Sequence, residues 1–273
     1  MAESPTDTAA LARTCQSLYA TLRQDAPLVQ CLTNFVSMNI AANVLLAMGA
    51  SPAMVHATDE APEFARVAGA VVINIGTLSA PWLESMLLTA ASARQAGIPW
   101  VLDPVAHHAT AFRRDAVRQL LALQPTIVRG NASEIIALAG GHSAGKGVDA
   151  RDAVAQAEQS ALDIATAHRT VVAVTGETDY VTDGQRSVRV TGGSPLMPRV
   201  TATGCALTAL VGAFAAVSKD DPYTAAVAAL SCFAIAGRRA GALSEGPGSF
   251  AWRFLDALAS LETDSLTRES PLR

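Results

Sequence analysis

Apolar residues recur at helical spacing over residues 9–24 (Leu11, Cys15, Leu18, Leu22), after which the chain breaks into short apolar runs. The runs fall at 29–32, 70–75, 100–102, 126–129 and 171–174. Each is mostly apolar instead of alternating, the mark of a strand covered on both faces. Helical patterns at 38–48, 82–95, 114–123 and 150–168 lie between them. This alternation predicts an α/β fold: a mostly parallel, doubly wound sheet with helices on both faces. Thr182-Asp183-Gly184-Gln185, within the alternating stretch 180–190, is a hairpin signal and adds an antiparallel edge. From Thr208 onward the pattern is nearly all helix. Its greasiest stretches, 206–217 and 225–237, fall short of the ~20 apolar residues that cross a bilayer, so they are expected as buried helices of a soluble protein. Residues 1–8 and 264–273 are polar and expected to be loose; with no repeat or linker between, one domain over 1–273 is expected.

Composition narrows the class. Half of the 273 residues are hydrophobic and 16% are charged, which excludes a disordered chain. Only 5% are aromatic, so the core must be aliphatic and rich in alanine. A net charge of −4 without a basic stripe argues against nucleic acid. Four scattered cysteines (Cys15, Cys31, Cys205, Cys232) form no CxxC pair and read as reduced thiols. The polar, acidic N-terminus is no signal peptide, and a cytoplasmic protein without membrane partners is expected.

In open α/β sheets, ligands bind beyond the carboxyl ends of the strands. Those exits carry Thr33-Asn34, Gly76-Thr77, Asp103-Pro104, Arg129-Gly130-Asn131 with Glu134 three residues on, and Thr175-Gly176-Glu177. Turn residues are ordinary at any one strand end, but five polar exits together point to a site. Thr201-Ala202-Thr203-Gly204-Cys205 opens an apolar helix, and a helix N-terminus with small residues attracts anions. A plain N-cap by Thr203 is the competing reading. The stretch is neither a Walker A loop nor a GxGxxG turn. Asp103 and Glu134 are the carboxylates placed to hold Mg²⁺, directly or through water. Asn131 and Glu134 share one helical face, so Glu134 also fits a capping box. The adjacent His107 and His108 have no matching ligand cluster and read poorly as metal ligands.

Together these segments resemble the hydroxyethylthiazole kinases of the ribokinase-like superfamily. The resemblance runs in order through residues 32–54 (LTNFVSMNIAANVLLAMGASPAM), 73–78 (INIGTL), 101–105 (VLDPV), 129–135 (RGNASEI), 145–149 (GKGVD), 171–184 (VVAVTGETDYVTDG), 201–210 (TATGCALTAL) and 246–250 (GPGSF). It implies transfer of a phosphoryl group from ATP, with Mg²⁺, to the alcohol of 4-methyl-5-(2-hydroxyethyl)thiazole in thiamine biosynthesis. It also implies a homotrimer with active sites between subunits. Residue by residue, it implies that Met54 contacts the thiazole and that Ala202 and Gly204, with Asn34, line the substrate side. Arg129, Thr175 and Asn131 fall to ATP, and Asp103 and Glu134 to the metal. Cys205 stands where superfamily relatives place an aspartate base, and the helix N-terminus is expected to lower its pKa; it reads either as the proton acceptor or as a residue that only shapes the pocket. A kinase of a pyrimidine alcohol, a lyase of hydrated nicotinamide nucleotides and a non-catalytic binding protein are the rival readings. Two departures stand out: Ala202 replaces a usual glycine, where a positive φ would be strained, and Ala106-His107-His108-Ala109 replaces a glycine-containing run.

Overall fold

The computed structural model describes residues 7–141 and 150–273, so residues 1–6 and the 145–149 motif lie outside the described residues. The strands are β1 (Leu28–Leu32), β2 (Ser51–Ala53), β3 (Ala70–Asn74), β4 (Trp100–Asp103), β5 (Ile127–Asn131), β6 (Val171–Thr175), β7 (Thr178–Thr182) and β8 (Ser187–Thr191). They form one sheet in the order β2-β1-β3-β4-β5-β6-β7-β8. Pairing is parallel from β2 to β6 and antiparallel across β6, β7 and β8. The mostly parallel sheet and its hairpin edge are therefore those the pattern predicts. The three-residue β2, which holds Pro52, carries no pattern long enough to see.

The helices are α1 (Thr8–Asp25), α2 (Met38–Met48), α3 (Ala61–Phe64), α4 (Ala80–Gln95), α5 (Ala111–Ala122), α6 (Ala132–Leu138), α7 (Ala150–His168), α8 (Thr203–Val217), α9 (Pro222–Leu243), α10 (Pro247–Ala259) and α11 (Ser265–Arg268). Val72, Val101 and Ala173 face the core built with α1, α2, α8, α9 and α10. Val71, Ile73, Leu102 and Val172 face the core built with α3 to α7. Successive strand side chains alternate faces, so two apolar cores demand unbroken apolar strands. Helices start upstream of their apolar pattern where a side chain caps them. Ser79 accepts from Trp82 N, Thr110 from Arg113 N and Asp221 from Thr224 N.

Two expectations need correction. Helix α9 runs 22 residues and is long and apolar enough to cross a membrane, unlike the shorter stretch read from sequence. Here it is a central core helix, with Val227, Leu230 and Ile235 fully buried. The tail 264–273 is not loose. Leu266 and Leu272 are 1% and 4% exposed, and Thr191 N and Arg273 N donate to Pro271 O and Arg189 O at 2.9 Å. Two leucines within a polar stretch suffice as anchors, and the tail covers the outer rim of edge strand β8.

Candidate active site

The exits of β1, β3, β4 and β5 converge beneath the first turn of α8. Asp103, closing β4, is 1% exposed. Its Oδ2 accepts from Asn74 Nδ2 and from Thr208 Oγ1, each at 2.7 Å, with Arg129 Nη1 at 3.7 Å. Its Oδ1 is buried and meets no donor among the described residues. Burial pushes the Asp103 carboxyl up to about 6, with the charge of Glu134 adding to the shift and Arg129, Thr208 and Asn74 opposing it.

Asn74 extends the network. Its Oδ1 accepts from Gly76 N at 2.9 Å and from Asn34 Nδ2 at 2.8 Å. Asn34 Oδ1 in turn accepts from Val36 N and Ser37 N, each at 3.0 Å. With that oxygen committed to the backbone, Asn34 can present only its amide N–H groups inward, and Nδ2 reaches Cys205 Sγ at 3.4 Å. Both amide orientations are thus set by backbone donors. Burial, then the nearby Asp103, pushes the Cys205 thiol above its ordinary range, while Asn34, Asn74 and Arg129 pull it back. The direction is opposite to the expected lowering, because desolvation and a neighbouring carboxylate prevail.

Arg129, near the end of β5, donates to Thr175 Oγ1 on β6. Its guanidinium lies against the start of α8, where a Cβ at Gly204 would come within 2.8 Å of Nη1. Glycine is the residue that admits this contact. The helix is capped by no side chain: Ala202 occupies the N-cap, and Thr203 Oγ1 donates back to Val200 O at 2.8 Å. Thr203 is therefore not the cap, and the first N–H groups of a 15-residue helix stay open beside a guanidinium, an anion-binding arrangement. Ala202 takes the left-handed conformation at φ 61°, the strain the sequence anticipates for an alanine at this position.

Glu134 has a different setting. Its Oε2 accepts from Asn131 N and its Oε1 from Ala106 N, both at 2.9 Å, while Asn131 Oδ1 accepts from Glu134 N at 3.0 Å. The capping box is complete. Ala106 is also left-handed, at φ 49°, where the family resemblance expects glycine nearby. Met54 stands apart, just past β2 and partly buried against the α8–α9 core. The structure thus brings Asn34, Asp103, Cys205, Arg129, Thr175 and Gly204 together and sets Asn131 and Glu134 alongside, while Met54 follows β2 and packs against the core.

Sequence reasoning missed Asn74 and Thr208. The exit of the third strand was read one residue late, at Gly76, although the strand ends at Asn74. Thr208 hides inside an apolar helix. Arg113 was missed too: it donates to Ile75 O and Val105 O at 2.9 Å and to Gly76 O at 2.7 Å, clamping the β3 and β4 exits together.

Beside this cluster opens a cavity of about 790 Å³ between α8, α9 and the antiparallel edge. Arg129, Thr175 and Gly204 form one end. Val190, Met197, Leu207 and Phe233 supply its apolar wall. The size and the mixture of few polar groups with apolar lining suit a small-molecule ligand.

The hydroxyethylthiazole kinase family model matches residues 19–264. A hydroxyethylthiazole kinase of Rhizobium rhizogenes is 65% identical over 254 residues, covering 93% of this chain and 95% of that protein. One from Gemmatimonas aurantiaca is 59% identical, covering 91% and 89%. Among solved structures, a hydroxyethylthiazole kinase protein from Pyrococcus horikoshii superposes with a TM-score of 0.88 at 40% identity, covering 96% of this chain and 98% of that one. The pyridoxal kinase of Staphylococcus aureus shares the fold, at TM-score 0.59 and 17% identity over 78% and 88%.

Proposed function

Because this chain belongs to the hydroxyethylthiazole kinase family, we propose that it transfers the γ-phosphoryl group of ATP to the hydroxyl of 4-methyl-5-(2-hydroxyethyl)thiazole, a step in thiamine salvage. The observation that carries the reading is the convergence of Arg129, Cys205 and the orphan oxygen of Asp103 on the uncapped start of α8. Phosphoryl transfer asks mainly for positioning and charge stabilisation, and this arrangement supplies both.

Arg129, steadied by Thr175, faces the polyphosphate, and the open N–H groups of α8 receive the charge that develops on the transferring group. Asn34 and Cys205 face the alcohol, with Sγ placed so that its thiolate form takes the alcohol proton as the new P–O bond forms and the bond to ADP breaks. Met54 flanks the thiazole and Asn131 lies toward the nucleotide. The residues also fit Mg²⁺: Asp103 Oδ1 is a buried carboxylate oxygen that no donor meets among the described residues, and Glu134 stands near enough to hold a bound water. When bound, Mg²⁺ would neutralise phosphate charge and fix the polyphosphate geometry.

The exposed apolar side chains Phe35 (67%) and Val36 (57%), which follow Asn34 directly, support a homotrimer whose subunit contacts border the site. The four free cysteines support a reducing, cytoplasmic setting. Purified protein incubated with ATP, Mg²⁺ and the thiazole alcohol should release ADP and the thiazole monophosphate stoichiometrically. Faster turnover of a hydroxymethylpyrimidine, or no transfer at all, would overturn the reading.

A further inference from the structure

The cavity beside the phosphate end has an order that the sheet itself imposes. Asn131 pairs with Thr175, Ala173 with Val181 and Asp179 with Val190. Arg129, Thr175, Asp179 and Val190 thus stand on four successive strands, and all four line this cavity. Neighbouring strands are about 4.8 Å apart, so Asp179 lies about 10 Å, and Val190 about 14 Å, from the strand that carries Arg129. Charge, then carboxylate, then apolar surface follow one another along that line. Beyond Val190 the wall is completed by Met197, Leu207 and Phe233. The loop that holds Met197 is pressed onto α9: a Cβ on Gly237 would meet Met197 Sδ at 2.7 Å and Gly193 Cα at 3.0 Å.

A carboxylate in a cavity whose far end attracts anions needs an explanation. Facing a phosphate, it would repel. Facing a vicinal diol, it would accept charge-assisted hydrogen bonds. Asp179 Oδ1 accepts from Gly176 N at 2.9 Å, which fixes the side chain, while among the described residues no donor reaches Oδ2. Burial pushes the Asp179 carboxyl up to about 6, so it is ionised at neutral pH. The geometry points to Asp179 as the residue that reads the ribose hydroxyls of the nucleotide, with the triphosphate toward Arg129 and the base against Val190, Met197 and Phe233. This makes the enzyme selective for ribonucleotide over deoxyribonucleotide donors, and it rests on the proposed ATP-dependent reaction.

The test compares ATP, 2′-deoxy-ATP and 3′-deoxy-ATP as donors for the wild type, Asp179→Asn and Asp179→Ala, with calorimetric binding of the same nucleotides in parallel. A lost hydrogen bond to a charged group corresponds to about 10- to 100-fold in affinity. The wild type should show that rise in KM for at least one deoxynucleotide, with kcat little changed. Asp179→Ala should bring the three nucleotides to a common, weaker KM, and Asp179→Asn should fall between. A wild type that binds all three alike overturns the assignment, as does an Asp179→Ala protein that keeps the discrimination. With GTP added as a fourth donor, loss of an ATP-over-GTP preference in Asp179→Ala with ribose discrimination intact would move Asp179 to the base and also overturn it. If the wild type binds ATP with ribose discrimination but phosphorylates no thiazole alcohol, the proposed activity fails and the ribose assignment stands.

Discussion

At the end of β4, Asp103 is 1% exposed, and among the described residues one of its carboxylate oxygens meets no donor. At the start of α6, Glu134 is nearly as hidden, at 7%, yet backbone N–H groups meet both of its oxygens. The sequence offers the two carboxylates for one task. Their surroundings separate them. Burial without full pairing keeps a group reactive and costs stability, whereas a paired carboxylate holds a loop and a helix together. On the proposed reading, the charge of Asp103 acts directly in the site, and Glu134 holds a metal-bound water from the turn it shapes.

The largest effect that would break this contrast is at Asp103. Asparagine there can still accept from Thr208 and Asn74, so the fold should survive. Loss of the charge should lower kcat by about 10³-fold, as expected for a preorganised charge-stabilising group. Stability should move the other way. The native carboxyl titrates near 6 instead of its ordinary 3.8, so the folded protein binds a proton that the unfolded chain has already released. Its contribution therefore favours folding at low pH and is lost as pH rises from about 4 to about 6. Asp103→Asn should flatten the Tm profile across that window and raise Tm at pH 8 by roughly 2–4 °C, equivalent to about 1 kcal/mol. A Tm that falls at pH 8 would show Asp103 to be a structural partner of Arg129.

Cys205 belongs to the Asp103 side of the contrast. If Sγ takes the alcohol proton, Cys205→Ser should lose about 10²-fold in kcat, while Cys205→Asp, a carboxylate, should keep or exceed wild-type turnover. The raised thiol pKa leaves Cys205 mostly protonated at neutral pH, and only its thiolate fraction can take the alcohol proton, so a base role also requires kcat to rise with pH as that fraction grows. Serine near wild type with aspartate impaired would reduce Cys205 to a wall of the pocket.

Most of the frame was legible because it depends on periodicity. The run at 70–75 and the helix Ala150–His168 announce themselves through burial on both faces or on one. Asp103, Arg129 and Glu134 were legible because strand exits are where a doubly wound sheet places ligands. Thr208 was hidden because a polar residue in a buried helix has no periodic signature; only its bond to Asp103 reveals it. Leu272 was hidden for the opposite reason: apolar residues six apart in a polar tail make no pattern until β8 is there to receive the second of them. The sign of the Cys205 shift has no local signature, since it depends on how far burial and Asp103 outweigh Asn34, Asn74 and Arg129 in space.

A smaller effect tests the Glu134 side. Glutamine there offers one acceptor where two N–H groups need one each, so its amide nitrogen must face a donor. Glu134→Gln should lose about 1–2 kcal/mol of stability and lower kcat by roughly tenfold, with a higher Mg²⁺ requirement. Unchanged Tm with a loss as large as that of Asp103→Asn would place Glu134 in direct contact with the metal and erase the distinction.

The smallest expected effect lies two residues apart in one turn. Ala202 is left-handed, which costs an L-residue about 1–2 kcal/mol. Ala202→Gly removes that cost but loosens the unfolded chain by about 0.4–1 kcal/mol. The net should be a gain of about 0–1.6 kcal/mol, seen as a Tm rise of at most about 6 °C by calorimetry. Activity should be kept, because the N-cap offers no side-chain group to lose. Gly204→Ala should do the reverse. Its new Cβ would come within 2.8 Å of Arg129 Nη1, so the guanidinium must shift from the start of α8. KM for ATP should rise while Tm changes little, since the displaced group is a side-chain end and not backbone. A glycine at 202 that destabilises the fold would mean that its methyl group makes a packing contact stronger than the strain.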